Sequence, residues 1–203
     1  VKPTEDRRTV DDRADGKILL ILDLDETLIH AAERPFPRAA DFRVGPYWVF
    51  KRPGLDAFLC GVAGLFRLAV WSSASPDYVE AVASRILPSG VVPEFVWARD
   101  RCVLRFDPET YLSSPIKDLK KVRRAGYDLS RTLIVDDTPA KVARNYGNAI
   151  YVRPYEADDD GADRELPLLL RYLATLAALP PSTDLPRIEK RRWRGTVADP
   201  AAG

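Results

Sequence analysis

Residues 17 to 30, KILLILDLDETLIH, carry an apolar run straight into two aspartates. The uninterrupted stretch Ile18 to Leu22 is the pattern of a strand buried on both faces, as in a parallel sheet covered by helices. Aspartate is a poor strand former, and residues two apart on a strand share a face. Asp23 and Asp25 therefore repel each other unless something positive lies close by. The same construction recurs twice: LFRLAVWSS ends on Ser72 and Ser73, and RTLIVDD ends on Asp136 and Asp137. A fourth strand is expected in NAIYVRPY, and a short one around Phe95 to Ala98.

Between these runs the apolar spacing changes to that of helices. RPGLDAFLCGVAG places Leu55, Phe58, Leu59 and Val62 on one face. SPDYVEAVASRIL offers Ser75 as N-cap and Pro76 at the first helical position. IKDLKKVRRAG predicts a helix closed by Gly126 at C′, TPAKVARNYG a short helix, and DRELPLLLRYLATLAALP a long one with Pro167 in its first turn or at a kink. After the Pro-rich turn ERPFPRAA, the segment DFRVGPYWVFKR reads as a small β-hairpin inserted behind the first strand. PEFVWARDRCVLRFDPETYLSSP reads as irregular apart from its short strand. The expectation is an α/β fold with a doubly wound, mostly parallel central sheet, a small β-hairpin insert at about 31–50 and no large cap. Residues 1–16 read as a polar arm, 17–180 as one domain, and 181–203 as a tail without periodicity.

Bulk properties exclude more than they assign. With 203 residues, 46% hydrophobic and 30% charged, the chain has the composition of an ordinary globular protein. A formal net charge of +1 gives no global case for nucleic acid or an anionic membrane. No apolar run approaches the roughly 20 residues of a membrane span, and the charged opening VKPTEDRRTVDDRADGK does not read as a signal peptide. Cys60 and Cys102 belong to no CxxC pattern and are expected to be buried reduced thiols, which fits a cytoplasmic protein. His30, the single histidine, is expected to make a structural hydrogen bond. PRIEKRRWRG sets five cations around Trp193, which suggests a solvated tail, one pinned to the core by Trp193, or a nucleic-acid contact.

In a doubly wound sheet the ligand site lies beyond the carboxyl ends of the strands. Three segments thus aim Asp23 and Asp25, Ser72 and Ser73, and Asp136 and Asp137 at one crevice. All-oxygen carboxylate ligands suit Mg²⁺, which keeps several waters and takes one or two carboxylates plus a substrate phosphate. Asp23 as a nucleophile would form an aspartyl-phosphate. Asp25 would protonate the leaving alcohol and then activate water. A hydroxyl of Ser72 or Ser73 would bind the phosphoryl oxygens, Lys117 at the start of its helix would add positive charge, and Thr27 would hold the turn after the strand.

The segments DLDET, WSSAS, IKDL and LIVDDTP, in that order, resemble the four motifs of the haloacid dehalogenase superfamily of aspartate-nucleophile phosphohydrolases. The surrounding LDLDETLIH, KRPGLDAFL, RDRCV and IVDDTPAKV are similar to its FCP/SCP-type branch, the NLI-interacting-factor type, related to phosphatases of the RNA polymerase II C-terminal domain. The resemblance covers roughly residues 17 to 175. It implies Asp23 as nucleophile, Asp25 as general acid/base with its carbonyl offered to Mg²⁺, Ser72 and Lys117 as phosphate ligands, and Asp136 as a metal ligand. Asp137, expected with Asp23, Asp25 and Asp136 to hold the metal, stands where many polymerase-tail phosphatases have Asn, which points to a divergent subgroup. Arg99 matches an arginine near the substrate phosphate.

Only about 20 residues separate the first motif from the KRP helix, too few for a large lid, so the site is expected to admit a phosphorylated protein or peptide. The hairpin aromatics Tyr47, Trp48 and Phe50 either contact that substrate or pack on the domain. The leading function is thus a Mg²⁺-dependent protein phosphoserine/phosphothreonine phosphatase. A nucleic-acid-end or small-molecule phosphatase keeps the same chemistry, and a binding module on a degenerate phosphatase fold is the non-catalytic alternative.

Overall fold

The computed structural model describes residues 16–34, 37–108, 111–158 and 162–197. The proposed arm, apart from Gly16, and the last six residues of the tail lie outside them.

Strands β1 (Leu19–Leu22), β5 (Arg67–Trp71), β6 (Val96–Trp97), β9 (Thr132–Asp136) and β10 (Ala149–Tyr151) form one parallel sheet in the order β10-β9-β1-β5-β6. Alternation splits the strand residues between two cores. Leu20, Leu22, Leu68, Val70, Leu133 and Val135 pack toward α1 (Leu55–Leu65), α2 (Pro76–Ile86) and α4 (Glu165–Ala177). Leu19, Ile21, Ala69, Trp71 and Ile134 pack toward Leu119, Val122 and Val142 on the other face. Both faces are therefore dry, which is why these strands read as unbroken apolar runs. Crossing from β5 back over to β9 makes the order reverse around β1, so the switch point of the sheet falls at Asp23.

The insert is larger by one strand than its sequence suggests. β3 (Phe42–Val44) and β4 (Tyr47–Lys51) form the hairpin around Gly45 and Pro46, and β2 (Ile29–Ala32) pairs with the other edge of β4. Gly45 sits at φ 55°, the left-handed conformation that a tight hairpin turn favours. The segment expected to be irregular contains a second hairpin, β7 (Val103–Asp107) with β8 (Leu112–Ile116). Leu104, Phe106 and Leu112 stay exposed on it, so burial imposes no two-residue alternation and the sequence signal is lost.

The helix expected over IKDLKKVRRAG shrinks to α3 (Lys120–Arg124), followed by Gly126 at φ 89°. Lys117 is therefore not at a helix start but in the connection that follows β8. TPAKVARNYG forms a 3₁₀ helix, Pro139–Asn145, broken at Val142. Ser75 precedes α2 with Pro76 as its first residue, but its side chain makes no capping bond. Pro167 falls in the first turn of α4, where its missing N–H costs nothing.

The chain beyond Pro180 returns to the domain. Leu185 is buried, and α5 (Trp193–Thr196) inserts Trp193 against Tyr172, ring centroids 5.7 Å apart, with its indole N–H donating to the Tyr151 carbonyl. Cys60 is exposed rather than buried, because it lies on the solvent side of α1, and Cys102 is half-buried. Among the described residues no helix is long and apolar enough to cross a membrane.

Candidate active site

Asp23, Ser72 and Asp137 each follow the last residue of β1, β5 and β9, three adjacent strands, and Asp136 closes β9 itself. The register pairs Leu22 with both Val70 and Val135, so these polar residues emerge at one level. The chain does not continue straight after Asp23. The Leu24 carbonyl accepts from the N–H groups of Thr27, Leu28 and Ile29, and Glu26 takes φ 58°. This turn sends Asp23 and Asp25 to different places rather than leaving them on one strand face.

Asp23 joins a buried charge cluster. Its Oδ1 lies 2.7 Å from Lys117 Nζ, which donates to Asp136 Oδ2, also at 2.7 Å; none of the three side chains is exposed. The positive group between the first acidic residue and its neighbour is thus an ammonium of the chain itself. Burial pulls the Lys117 pKa down, but the charges of Asp23 and Asp136 outweigh it and hold it at about 12. Burial and the nearby Asp23 push Asp136 upward, against Lys117 and the Thr138 N–H, which donates to Asp136 Oδ1 at 2.8 Å. Lys141 Nζ lies 3.8 Å from Asp23 Oδ2 and 4.0 Å from Asp137 Oδ1. Thr27 Oγ1 donates to Asp137 Oδ1 at 3.3 Å and accepts from the Asp137 N–H at 3.1 Å, which ties the first motif to the last.

Asp25 lines a cleft beside this cluster, close enough for the Asp23 charge to act on its carboxyl. Tyr78 donates to its Oδ1 at 2.6 Å and Ser72 to its Oδ2 at 3.2 Å. Burial holds the Asp25 carboxyl above its usual range; the Tyr78 bond opposes this, the Asp23 charge reinforces it, and the Ser72 bond opposes it again. The cleft, about 450 Å³, is lined by Asp25, Glu26, Tyr47, Tyr78 and Arg99 among others. Ser72 turns its hydroxyl into the site, whereas Ser73 offers its carbonyl to Arg99 Nε at 2.8 Å. Tyr47 stands edge-on to Tyr78 and so reaches the cleft. Phe50 is buried against Tyr155 and Ala157, and Trp48 is half-buried under Arg43, so these two aromatics pack on the domain. His30 Nδ1 lies 3.5 Å from Glu26, and burial lowers its pKa.

Sequence reasoning missed Tyr78, Lys141 and Arg52. Arg52 is buried, donates to Asp163 through Nε and Nη2, and donates to the Thr27 carbonyl at 3.0 Å through Nη1. It braces the acidic turn from behind. Tyr78 and Lys141 each lie in a segment expected to be helical, and nothing local marked either residue.

Carboxylate oxygens of Asp23, Asp136 and Asp137 all lie within 4.8 Å of one another. Both carboxylate oxygens of Asp23 are buried and, among the described residues, neither accepts a hydrogen bond. A buried, unsatisfied oxygen in an all-oxygen set fits a hard divalent cation such as Mg²⁺. The Asp25 carboxylate stands outside this group, engaged by Ser72 and Tyr78.

Sheet order, strand-end carboxylates and the buried lysine define a haloacid dehalogenase-like α/β protein. The chain belongs to the NLI interacting factor-like phosphatase family, whose model matches residues 18–185. It is 34% identical over 159 residues to human carboxy-terminal domain RNA polymerase II polypeptide A small phosphatase 2, covering 74% of this chain and 54% of that protein. It is 32% identical over 168 residues to a probable C-terminal domain small phosphatase of Dictyostelium discoideum, covering 79% and 51%. The chain thus spans about half the length of these relatives. Among solved structures it is similar to the fission yeast RNA polymerase II CTD phosphatase Fcp1 bound to beryllium fluoride, with TM-score 0.54 and 26% identity over 81% of this chain and 52% of that one.

Proposed function

We propose that this chain is a Mg²⁺-dependent phosphomonoesterase that works through an aspartyl-phosphate and acts on phosphoserine or phosphothreonine in proteins. The observation that carries this reading is Asp23: fully buried at the switch point, with Oδ1 2.7 Å from the Lys117 ammonium and Oδ2 3.8 Å from that of Lys141, and with neither oxygen accepting a hydrogen bond among the described residues.

Asp23, Asp136 and Asp137 would hold Mg²⁺. The bound ion supplies positive charge that shields the incoming phosphoryl oxygens from the carboxylates. Lys117, 2.7 Å from Oδ1, would hold the Asp23 side chain in place. A carboxylate oxygen of Asp23 attacks phosphorus, the bond from phosphorus to the ester oxygen breaks, and Asp25 gives its proton to the leaving oxygen. Asp25, now ionised, takes a proton from water; the hydroxide attacks phosphorus, the bond to Asp23 breaks, and phosphate leaves. Ser72 and Lys117 donate to the phosphoryl oxygens in both steps, and Arg99 lines the entry.

Two observations support a protein substrate. The insert beside the cleft is a small sheet rather than a lid. In the tail, Arg194 pairs with the buried Glu165 and Lys190 donates to the carbonyls of Leu185 and Ile188, so two of the five cations that suggested nucleic acid are held against the domain. The test compares phosphopeptides, 3′- and 5′-phosphorylated oligonucleotides and small phosphoesters, with EDTA and with restored Mg²⁺. Turnover is expected to vanish in EDTA and return with Mg²⁺, and phosphopeptides are expected to exceed oligonucleotides in kcat/KM by at least about tenfold. Full activity in EDTA, or preference for oligonucleotides, would overturn the corresponding part.

Tyr78→Phe probes Asp25. The lost hydrogen bond stabilises the carboxylate, so its removal raises the Asp25 pKa further. A bond of this kind is worth about 1.5–3 kcal/mol, which corresponds to roughly one to two pH units. The high-pH limb of kcat/KM for an alkyl phosphate, which needs protonated Asp25, is expected to move up by about that much, with para-nitrophenyl phosphate less affected. An unmoved limb would remove Tyr78 from the acid/base assembly.

A further inference from the structure

Behind the 3₁₀ turn Arg99–Arg101 lies a second groove of about 480 Å³, lined by Trp97, Asp100, Arg101, Lys121, Arg124 and Ala125. Three cations face one carboxylate there. Arg101 meets Asp100 only at 3.7 Å with both side chains about half exposed, a pair worth little. Lys121 Nζ donates to the Cys102 carbonyl at 3.4 Å, which leaves its charge unbalanced. Arg124 makes no ion pair or side-chain hydrogen bond among the described residues. Other cations near the sheet are matched, as in Arg67 with Glu94 and Arg144 with Asp118.

The groove also has a built wall. The Arg101 guanidinium lies 5.5 Å from the Trp97 ring centroid, and Phe95 stacks on Trp97 at 4.0 Å. A guanidinium held near an aromatic ring keeps N–H groups to offer a carboxylate or phosphate. One turn links the groove to the catalytic cleft: Arg99 lines the cleft with Asp25 and Tyr78, and Arg101, at the other end of the same turn, lines the groove. Lys121 stands four residues beyond Lys117. A chain with its phosphoresidue in the cleft and crossing this turn meets the cations next.

We propose that this groove binds an acidic or phosphorylated side chain on the flank of the residue being dephosphorylated; the proposal rests on the protein-phosphatase reading above. A polypeptide is favoured over nucleic acid because the groove contains Asp100 and the chain as a whole carries a formal charge of only +1.

The test uses phosphoserine peptides in which one Glu is walked along both flanks, against the same peptide with Ala throughout. Wild-type protein is expected to favour Glu at one flank by about fivefold or more in kcat/KM, mostly through KM, and less so at high salt. Arg101→Ala with Arg124→Ala is expected to erase that preference while leaving para-nitrophenyl phosphate turnover unchanged. Fluorescence anisotropy of the peptides on Asp23→Asn separates the two readings. Glu-dependent binding without turnover of any peptide overturns the substrate reading and keeps the groove. Turnover with no flank preference, or a preference that survives the double substitution, overturns the groove. Oligonucleotide binding lost in the double variant, without peptide preference, reassigns it to nucleic acid.

Discussion

Asp23→Asn is expected to lower turnover by at least about 10⁴-fold, the scale seen when a covalent nucleophile is removed. Asparagine keeps the shape of the side chain but cannot supply the attacking oxygen. The fold should survive. The cluster sets three carboxylates, Asp23, Asp136 and Asp137, against two ammoniums, Lys117 and Lys141, and the substitution removes the excess negative charge while Lys117 keeps Asp136 at 2.7 Å. Activity and thermal unfolding are measured together, with intact-mass detection of a phosphoenzyme in the wild type. A folded variant with more than about a hundredth of wild-type turnover would exclude Asp23 as the covalent nucleophile.

Lys117→Met should have the largest effect on stability. It leaves Asp23 and Asp136 buried with only Lys141, 3.8 Å from Asp23, nearby. Breaking a buried pair from one side costs about 3–5 kcal/mol, or a fall in Tm of roughly 10 °C for a domain of this size. In the variant the Asp136 carboxyl, which burial and the Asp23 charge already hold above its usual range, loses the ammonium that opposes them. A raised carboxyl pKa contributes stability at low pH that is lost as pH rises through the folded pKa. The deficit is therefore expected to be small near pH 5 and full at neutral pH, and Mg²⁺ should raise the variant's Tm by more than the wild type's. Lys141→Met, at a partly exposed position, should cost about 1 kcal/mol or less. Equal stability of Lys117→Met and wild type at neutral pH without Mg²⁺ would show that the ammonium does not hold the cluster together.

The legibility of this protein follows burial. β1, β5 and β9 are dry on both faces, and no polar residue can interrupt such a strand without a reason. Asp23, Ser72 and Asp136 therefore stood out, and their place at strand ends followed from the parallel topology. Where burial is one-sided or absent, the pattern failed. β7 and β8 carry exposed Leu104, Phe106 and Leu112, and α3 spans only five residues, so the first was overlooked and the second overextended. Trp193 is a single anchor in a polar tail, visible as a possibility but not as a contact.

The amino-acid order by itself determined the sheet, the crevice and the residue types that converge there, because apolar runs and the polar residues ending them are local properties. Only the tertiary structure decided which charges meet. Lys117 lies between Asp23 and Asp136, Tyr78 reaches Asp25 across 53 positions of sequence, and Arg52 braces Thr27 from the other side of the insert. Charge and hydrogen-bond pairing depends on distances of a few ångströms between segments far apart in the chain, and no periodicity within any one segment encodes them.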